Sequence, residues 1–153
     1  MNIKKISEVK KRYYKLLLLA GKHSSGKTNA LKKVQQHLKS PLINLNFEIS
    51  NKLQNVDHDD QGTIFDTVIS ELSSSTDQPI LIDNTEILFS PEFQLNPLQI
   101  LKRISRTRVV IASWSGTYSN GQLIHGDIND DEYFVAKGAE IEDIEIYSLP
   151  EFG

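Results

Sequence analysis

Leu16 to Thr28 reads LLLLAGKHSSGKT. A continuous apolar run ends abruptly in a polar loop rich in glycine, serine and lysine. An apolar run of strand length suits a strand covered on both faces, as in a parallel sheet. Residues 21–28, GKHSSGKT, match G-x-x-x-x-G-K-[ST] in full, with a buried strand expected before the loop and a helix after it. The chemistry explains each residue type. Gly21 and Gly26 permit backbone angles that other residues resist. Successive N–H groups can then turn inward, and with the positive end of the next helix they form a socket for phosphate oxygens. Gly21, Lys22, His23, Ser24, Ser25, Gly26, Lys27, Thr28 and Asn29 are therefore the expected nucleotide-binding residues. Lys27 would place a cation on the β- and γ-phosphates, and Thr28 a hydroxyl on Mg²⁺. The expected cofactors are ATP and Mg²⁺.

A triphosphate socket of this kind needs an acid to help hold the metal. Asp83 ends a second apolar strand, Pro79–Asp83 (PILID), and takes that place with Thr28. Hydrolysis would also need a group to polarise the attacking water. The residue after Asp83 is Asn84, which can orient water but is a very poor base. Glu86 serves as the base if the chain turns after Asn84; otherwise it is a surface charge at a helix start. The strand RVVIAS (108–113) ends beside Trp114, Ser115 and Gly116. Ser113 or Ser115 would sense the γ-phosphate there, and the single Trp is read as a packing residue. Arg103, Arg106 and Arg108 precede that strand. Arg103 or Arg106 serves as an arginine finger toward a neighbouring subunit, or the group completes a helix dipole. Tyr13 and Tyr14, just before the first strand, either pack adenine or belong to the core.

Around these motifs the chain alternates strands and helices, which predicts an α/β fold with a mainly parallel sheet flanked by helices. Residues 1–14 are expected to form a basic N-terminal helix. Further helices are expected from Thr28 to Lys39, Phe47 to Val56, Ile64 to Leu72 and Pro97 to Ser105, the last entered through Asn96 with Pro97 at its first position. Leu42–Leu45 is a short strand candidate. DHDDQG (57–62) lacks calcium-loop spacing and is read as a solvated turn. Residues 117–153 are expected to be an irregular, acidic segment with one edge strand between Ile141 and Leu149. The order of elements suits the additional-strand class of P-loop NTPases, with an AAA+/RecA-like core. RVVIAS would lie between the two motif strands, in a single domain over 1–153 with no separate lid domain.

Composition narrows the functional classes. The chain has 153 residues, a net charge of −3 and no cysteine. Disulfides and thiolate metal sites are excluded, and a cytoplasmic setting is expected. The longest apolar run, Leu16–Ala20, is too short for a membrane span. Basic residues crowd the N-terminus (Lys4, Lys5, Lys10, Lys11, Arg12, Lys15), while the end from Asp127 onward is acidic. That arm is a solvated helix face, or one that touches phosphate or an acidic partner. A GTPase is disfavoured because no Asn-Lys-x-Asp follows a strand.

GKHSSGKT, LINLNFEIS, PILIDNTEILF, NPLQILKRISRTRVVIASWSG and GQLIHGDINDDEY together resemble the BrxF-like P-loop proteins of type 3 bacteriophage-exclusion (BREX) systems. The resemblance runs from about residue 15 to 134. The chain departs from that family's pattern after GQL, where it reads IHGDINDDEY. The resemblance implies an ATPase-like component of phage defence in the cytoplasm, with Lys27, Thr28, Asp83 and Glu86 at the family's motif positions. Its implied partners are a large ATPase, a methyltransferase, a phosphatase-like protein and a helicase; DNA contact is left open. A small phosphotransferase and a structural subunit without turnover are the alternatives, and a homo-oligomer would complete the site.

Overall fold

The structure is a computed structural model, and it describes residues 3–22, 26–54, 61–73 and 77–149. It is an α/β protein built on a five-stranded sheet with all its pairs parallel. The sheet contains β1 (Leu16–Gly21), β2 (Leu42–Asn44), β3 (Ile80–Asp83), β4 (Val110–Ser115) and, last in the chain, β8 (Glu145–Ser148), in the spatial order β2-β3-β4-β1-β8. β4 is thus inserted between the strands that carry the two motifs. Every residue of β1 is buried, because helices or loops cover both faces.

Alternation along the strands sorts the core into two layers. Leu17, Leu19, Leu81 and Ile111 face α1 (Ile3–Val9) and α2 (Lys27–Leu38). Leu16, Leu18, Ile80, Ile82, Val110 and Ala112 face the other way, onto α3 (Leu45–Leu53), α4 (Gln61–Leu72) and α5 (Pro97–Ile104). Caps set the helix starts. The Asn44 side chain accepts from Phe47 N, and Asn96 from Gln99 N. Asn44 therefore stops β2 and starts α3 at Leu45, earlier than the apolar pattern predicted; β2 ends one residue short of the expected Leu45. The N-terminal helix is also shorter than the expected 1–14, since the chain leaves helical geometry after Val9.

The segment after Gly116 corrects the expectation of irregular chain. β5 (Thr117–Ser119), β6 (Gln122–His125) and β7 (Phe134–Lys137) form a three-stranded antiparallel sheet. Asn120 and Gly121 close its first hairpin, both with positive φ (52° and 72°). That is the geometry of a two-residue turn matched to strand twist. The strands are so short that their alternation barely registers in sequence. Leu123 and Ala136 from this sheet are buried with Trp114, which packs edge-on against Phe89 at 4.9 Å between ring centroids. The indole N–H of Trp114 donates to Ile124 O. Among the described residues no helix is long and apolar enough to cross a membrane.

Gly116 is the joint between the sheets. A Cβ there would stand 1.8 Å from Ile124 O and 2.9 Å from Ile124 C, both backbone atoms that cannot step aside. Gly121 has open space around it but the left-handed φ of 72°. Urea unfolding should therefore show Gly116→Ala destabilised by about 2–3 kcal/mol through overpacking. Gly121→Ala should lose only about 1 kcal/mol through backbone strain.

Candidate functional site

The site forms where β1, β3 and β4 end together. β1 delivers Gly21 and Lys22 to the sheet's C-terminal edge, and α2 starts at Lys27 after Gly26, whose φ of 93° is left-handed. His23, Ser24 and Ser25 lie outside the described residues, as do residues 57–60 of the acidic turn. Lys22 and Asn29 are exposed beside the loop.

Lys27 is only 8% exposed. Its ammonium donates to Gly21 O and Lys22 O, both at 2.8 Å. A cation is thereby held across the two ends of the loop by carbonyl oxygens. Burial lowers its pKa from 10.5, while Glu86 first and Asp83 second pull it back up. Thr28 Oγ1 donates to Asp83 Oδ2 at 2.6 Å, joining α2 to β3. The other carboxylate oxygen, Asp83 Oδ1, accepts from Asn84 N at 2.8 Å. A lysine, a hydroxyl and a carboxylate thus converge at one strand edge.

Asn84 adopts left-handed backbone angles (φ 54°, ψ 54°), and the chain turns there into a 3₁₀ helix, Thr85–Phe89. Thr85 pins that helix by donating its hydroxyl to Ser113 O at 2.8 Å. Glu86 is exposed on the helix, and its charge reaches Lys27. Ser113 is fully buried, and among the described residues its Oγ has no hydrogen-bond partner. It lies on the α2 side of the sheet, in alternation with Ile111, so a polar atom with unused capacity sits beside the loop. Buried polar groups are rarely left unpaired, and such an orphan points to a ligand or water. Ser115 is half-buried, its carbonyl bonded to His125 Nδ1. The Gly116 N–H donates to Gly21 O, closing the seam between β4 and the loop.

The arginines separate. Arg108 is buried and donates to Leu72 O and Gln78 O, so it closes the end of α4. Arg103 and Arg106 stand at the end of α5 and beyond it, at the N-terminal edge of β4. Six residues of strand at about 3.3 Å each put them roughly 20 Å from the loop of their own chain. Any role as a finger is therefore in trans. Tyr13 and Tyr14 share that far edge. Tyr14 packs on the core and Tyr13 is exposed, and both stand away from the loop after β1.

Sequence reasoning missed the wall opposite the loop. A cavity of about 830 Å³ opens between Lys22, the end of β4 and the segment from His125 to Glu132. His125 stacks on Phe89 with 3.6 Å between ring centroids, and its Nε2 lies 3.6 Å from Glu132. The Asn120-Gly121 pair is the signal that would have revealed this sheet.

No protein-family model matches the chain, and no curated protein matches it either. What the fold and site define is the class: an α/β protein whose parallel five-stranded sheet gathers Lys27, Thr28, Asp83 and Ser113 at one edge.

Two stability measurements test this geometry. Thr28→Val should cost about 1.5 kcal/mol in denaturant unfolding, the scale of a hydrogen bond to a charged group. Lys27 has a folded pKa below its unfolded 10.5, so the unfolded chain holds more protons between those two values. Stability of the wild type relative to Lys27→Met should therefore rise as pH climbs through that window. Thermal midpoints of both proteins against pH give the slope.

Proposed function

We propose that the protein binds ATP with Mg²⁺ at residues 21–28 as a P-loop NTPase of the additional-strand class, with the AAA+/RecA-like core order. The reading rests chiefly on the bond from Thr28 to Asp83. It brings the residues expected at the metal together, next to Lys27. Hydroxyl and carboxylate oxygens suit a small hard cation. Magnesium needs only one or two protein ligands when phosphates and water supply the rest. Thr28 and Asp83 would hold the ion, and it would offset phosphate charge.

The chain's own residues carry the remaining work. Lys27 exchanges two carbonyl partners for phosphate oxygens, a stronger match for an ammonium. Main-chain N–H groups at the start of α2 hold the polyanion. The Ser113 hydroxyl, unpaired among the described residues, is the γ-phosphate sensor; Ser115 lies two residues further along the same strand. Glu86, brought round by the turn at Asn84, accepts the proton of the attacking water. Glu86 stands exposed to solvent, so turnover is slow until a neighbour completes the site. Arg103 or Arg106 of a neighbouring copy would be that neighbour's contribution.

The sequence resemblance extends the reading to a BrxF-like component of bacterial phage defence, a nucleotide switch or ATPase in the cytoplasm. It would act with a large ATPase, a methyltransferase, a phosphatase-like protein and a helicase. A second reading, a small phosphotransferase, draws on the cavity beside Lys22 and His125, which offers room for an acceptor.

Isothermal titration with ATP and Mg²⁺ should show binding by the wild type and at least a tenfold loss in Lys27→Ala, about 1.4 kcal/mol or more. Absence of binding by the wild type would overturn the proposal. A bound triphosphate raises the Lys27 pKa from its lowered free value, so binding takes up a proton between the two. Affinity should fall as pH rises through that range, read by titrations in buffers of different ionisation enthalpy. Hydrolysis per protomer should increase with protein concentration; release of labelled phosphate to water rather than to a hydroxyl acceptor separates the ATPase from the phosphotransferase.

A further inference from the structure

At the edge of the sheet opposite the phosphate loop, a cavity of about 270 Å³ is lined by Tyr13, Ser70, Ser73, Arg103, Arg106 and Thr107. One water occupies roughly 30 Å³, so the space takes a group far larger than a solvent molecule. Its composition is unusual for a chain whose net charge is −3. Two guanidinium groups face a set of hydroxyls and one aromatic ring.

Helix ends attract cations to their exposed carbonyls, but those carbonyls have other donors here. Arg108 serves Leu72 O and Gln78 O. Lys15 Nζ serves Arg106 O, and the Ser105 hydroxyl serves Lys102 O. Arg103 and Arg106 are left for other partners. Arg103 meets Asp66 at 3.7 Å, both side chains more than half exposed, an arrangement worth little in water. The Arg106 guanidinium lies over the ring of Tyr13, 5.1 Å from its centroid. Tyr14 meets the same ring edge-on at 4.8 Å. Two neighbours fix the Tyr13 ring, yet the residue remains 63% exposed. Lys10 and Lys11, also exposed, continue the positive charge on the turn after α1.

A fixed, largely exposed aromatic ring with a guanidinium beside it is a stacking platform, and guanidinium groups held only by exposed contacts are forked partners for phosphate. We infer that this edge binds single-stranded nucleic acid, with a base stacked on Tyr13 and backbone phosphates on Arg103 and Arg106. Duplex bases are already stacked and cannot use the ring. An acidic peptide could meet the arginines but has no base to stack. The assignment does not depend on nucleotide binding at the opposite edge, although a protomer whose Arg103 and Arg106 hold nucleic acid does not lend them to a neighbour as a finger.

The test is fluorescence anisotropy with a labelled oligothymidylate of about 20 nucleotides, long enough to span a single-strand site, between about 50 and 200 mM salt. The wild type should bind, and Tyr13→Ala should weaken binding roughly tenfold, as loss of a stacked base does. Tyr13→Phe, which keeps the ring, should bind like the wild type. Arg103→Ala with Arg106→Ala should flatten the plot of log affinity against log salt by about 1.4, two contacts at about 0.7 each. Lys27→Ala should bind the oligonucleotide normally, so failure at the phosphate loop is read separately. Circular dichroism melts of every variant confirm folding. The proposal is overturned by no binding at low salt, or by a folded Tyr13→Ala equal to the wild type. Displacement by blunt duplex as readily as by single strand, or by polyglutamate at equal charge concentration, also overturns it.

Discussion

The insertion of β4 between β1 and β3 is the constraint on which the site depends. Strands pair about 4.8 Å apart, so the loop strand and the acid strand stand two spacings from each other. That gap is bridged from above by Thr28, whose hydroxyl reaches Asp83, and lined from below by Ser113 on the intervening strand. Were β1 and β3 adjacent, the hydroxyl, the carboxylate and the orphan serine could not occupy separate positions around one crevice. Lys27 completes the arrangement by tying both ends of the loop. A buried ammonium on two carbonyls is held in place by their dipoles at a desolvation cost, which is why burial lowers its pKa.

Much of this was readable from the chain. Continuous apolar runs at Leu16–Ala20, Pro79–Asp83 and Arg108–Ser113 mark strands buried on both faces, and each proved to lie in the parallel sheet, with small shifts at the ends. Asn96-Pro97 announced α5 correctly because a side-chain cap and a fixed φ act locally. The missed features have both local and non-local causes. β2 and α3 meet at Asn44, where the cap competes with an apolar pattern that runs straight through. β5, β6 and β7 are three or four residues long, too short for alternation to stand out. Their burial comes from Trp114, just before β5, and from Phe89, distant in sequence.

The candidate site was legible by residue type but not by role. Motif spacing singled out Lys27, Thr28 and Asp83, since a G-x-x-x-x-G-K-[ST] loop and a strand-end acid are local patterns. It could not show that Thr85 anchors the segment carrying Glu86, nor that Ser113 is left without a partner. Those facts arise only when β3 and β4 lie side by side. Nor could it sort the arginines. Arg103, Arg106 and Arg108 are near neighbours in sequence, yet one is buried as a structural clamp and two face solvent.

The seam at Gly116 ties two sheets of different character. Its N–H is bonded to Gly21 O, and its Cα lies against the Ile124 carbonyl. A side chain at this joint would have to part β4 from the hairpin of β5 and β6, and that hairpin carries His125 onto Phe89. The size of a single residue thus limits how closely the two sheets can approach.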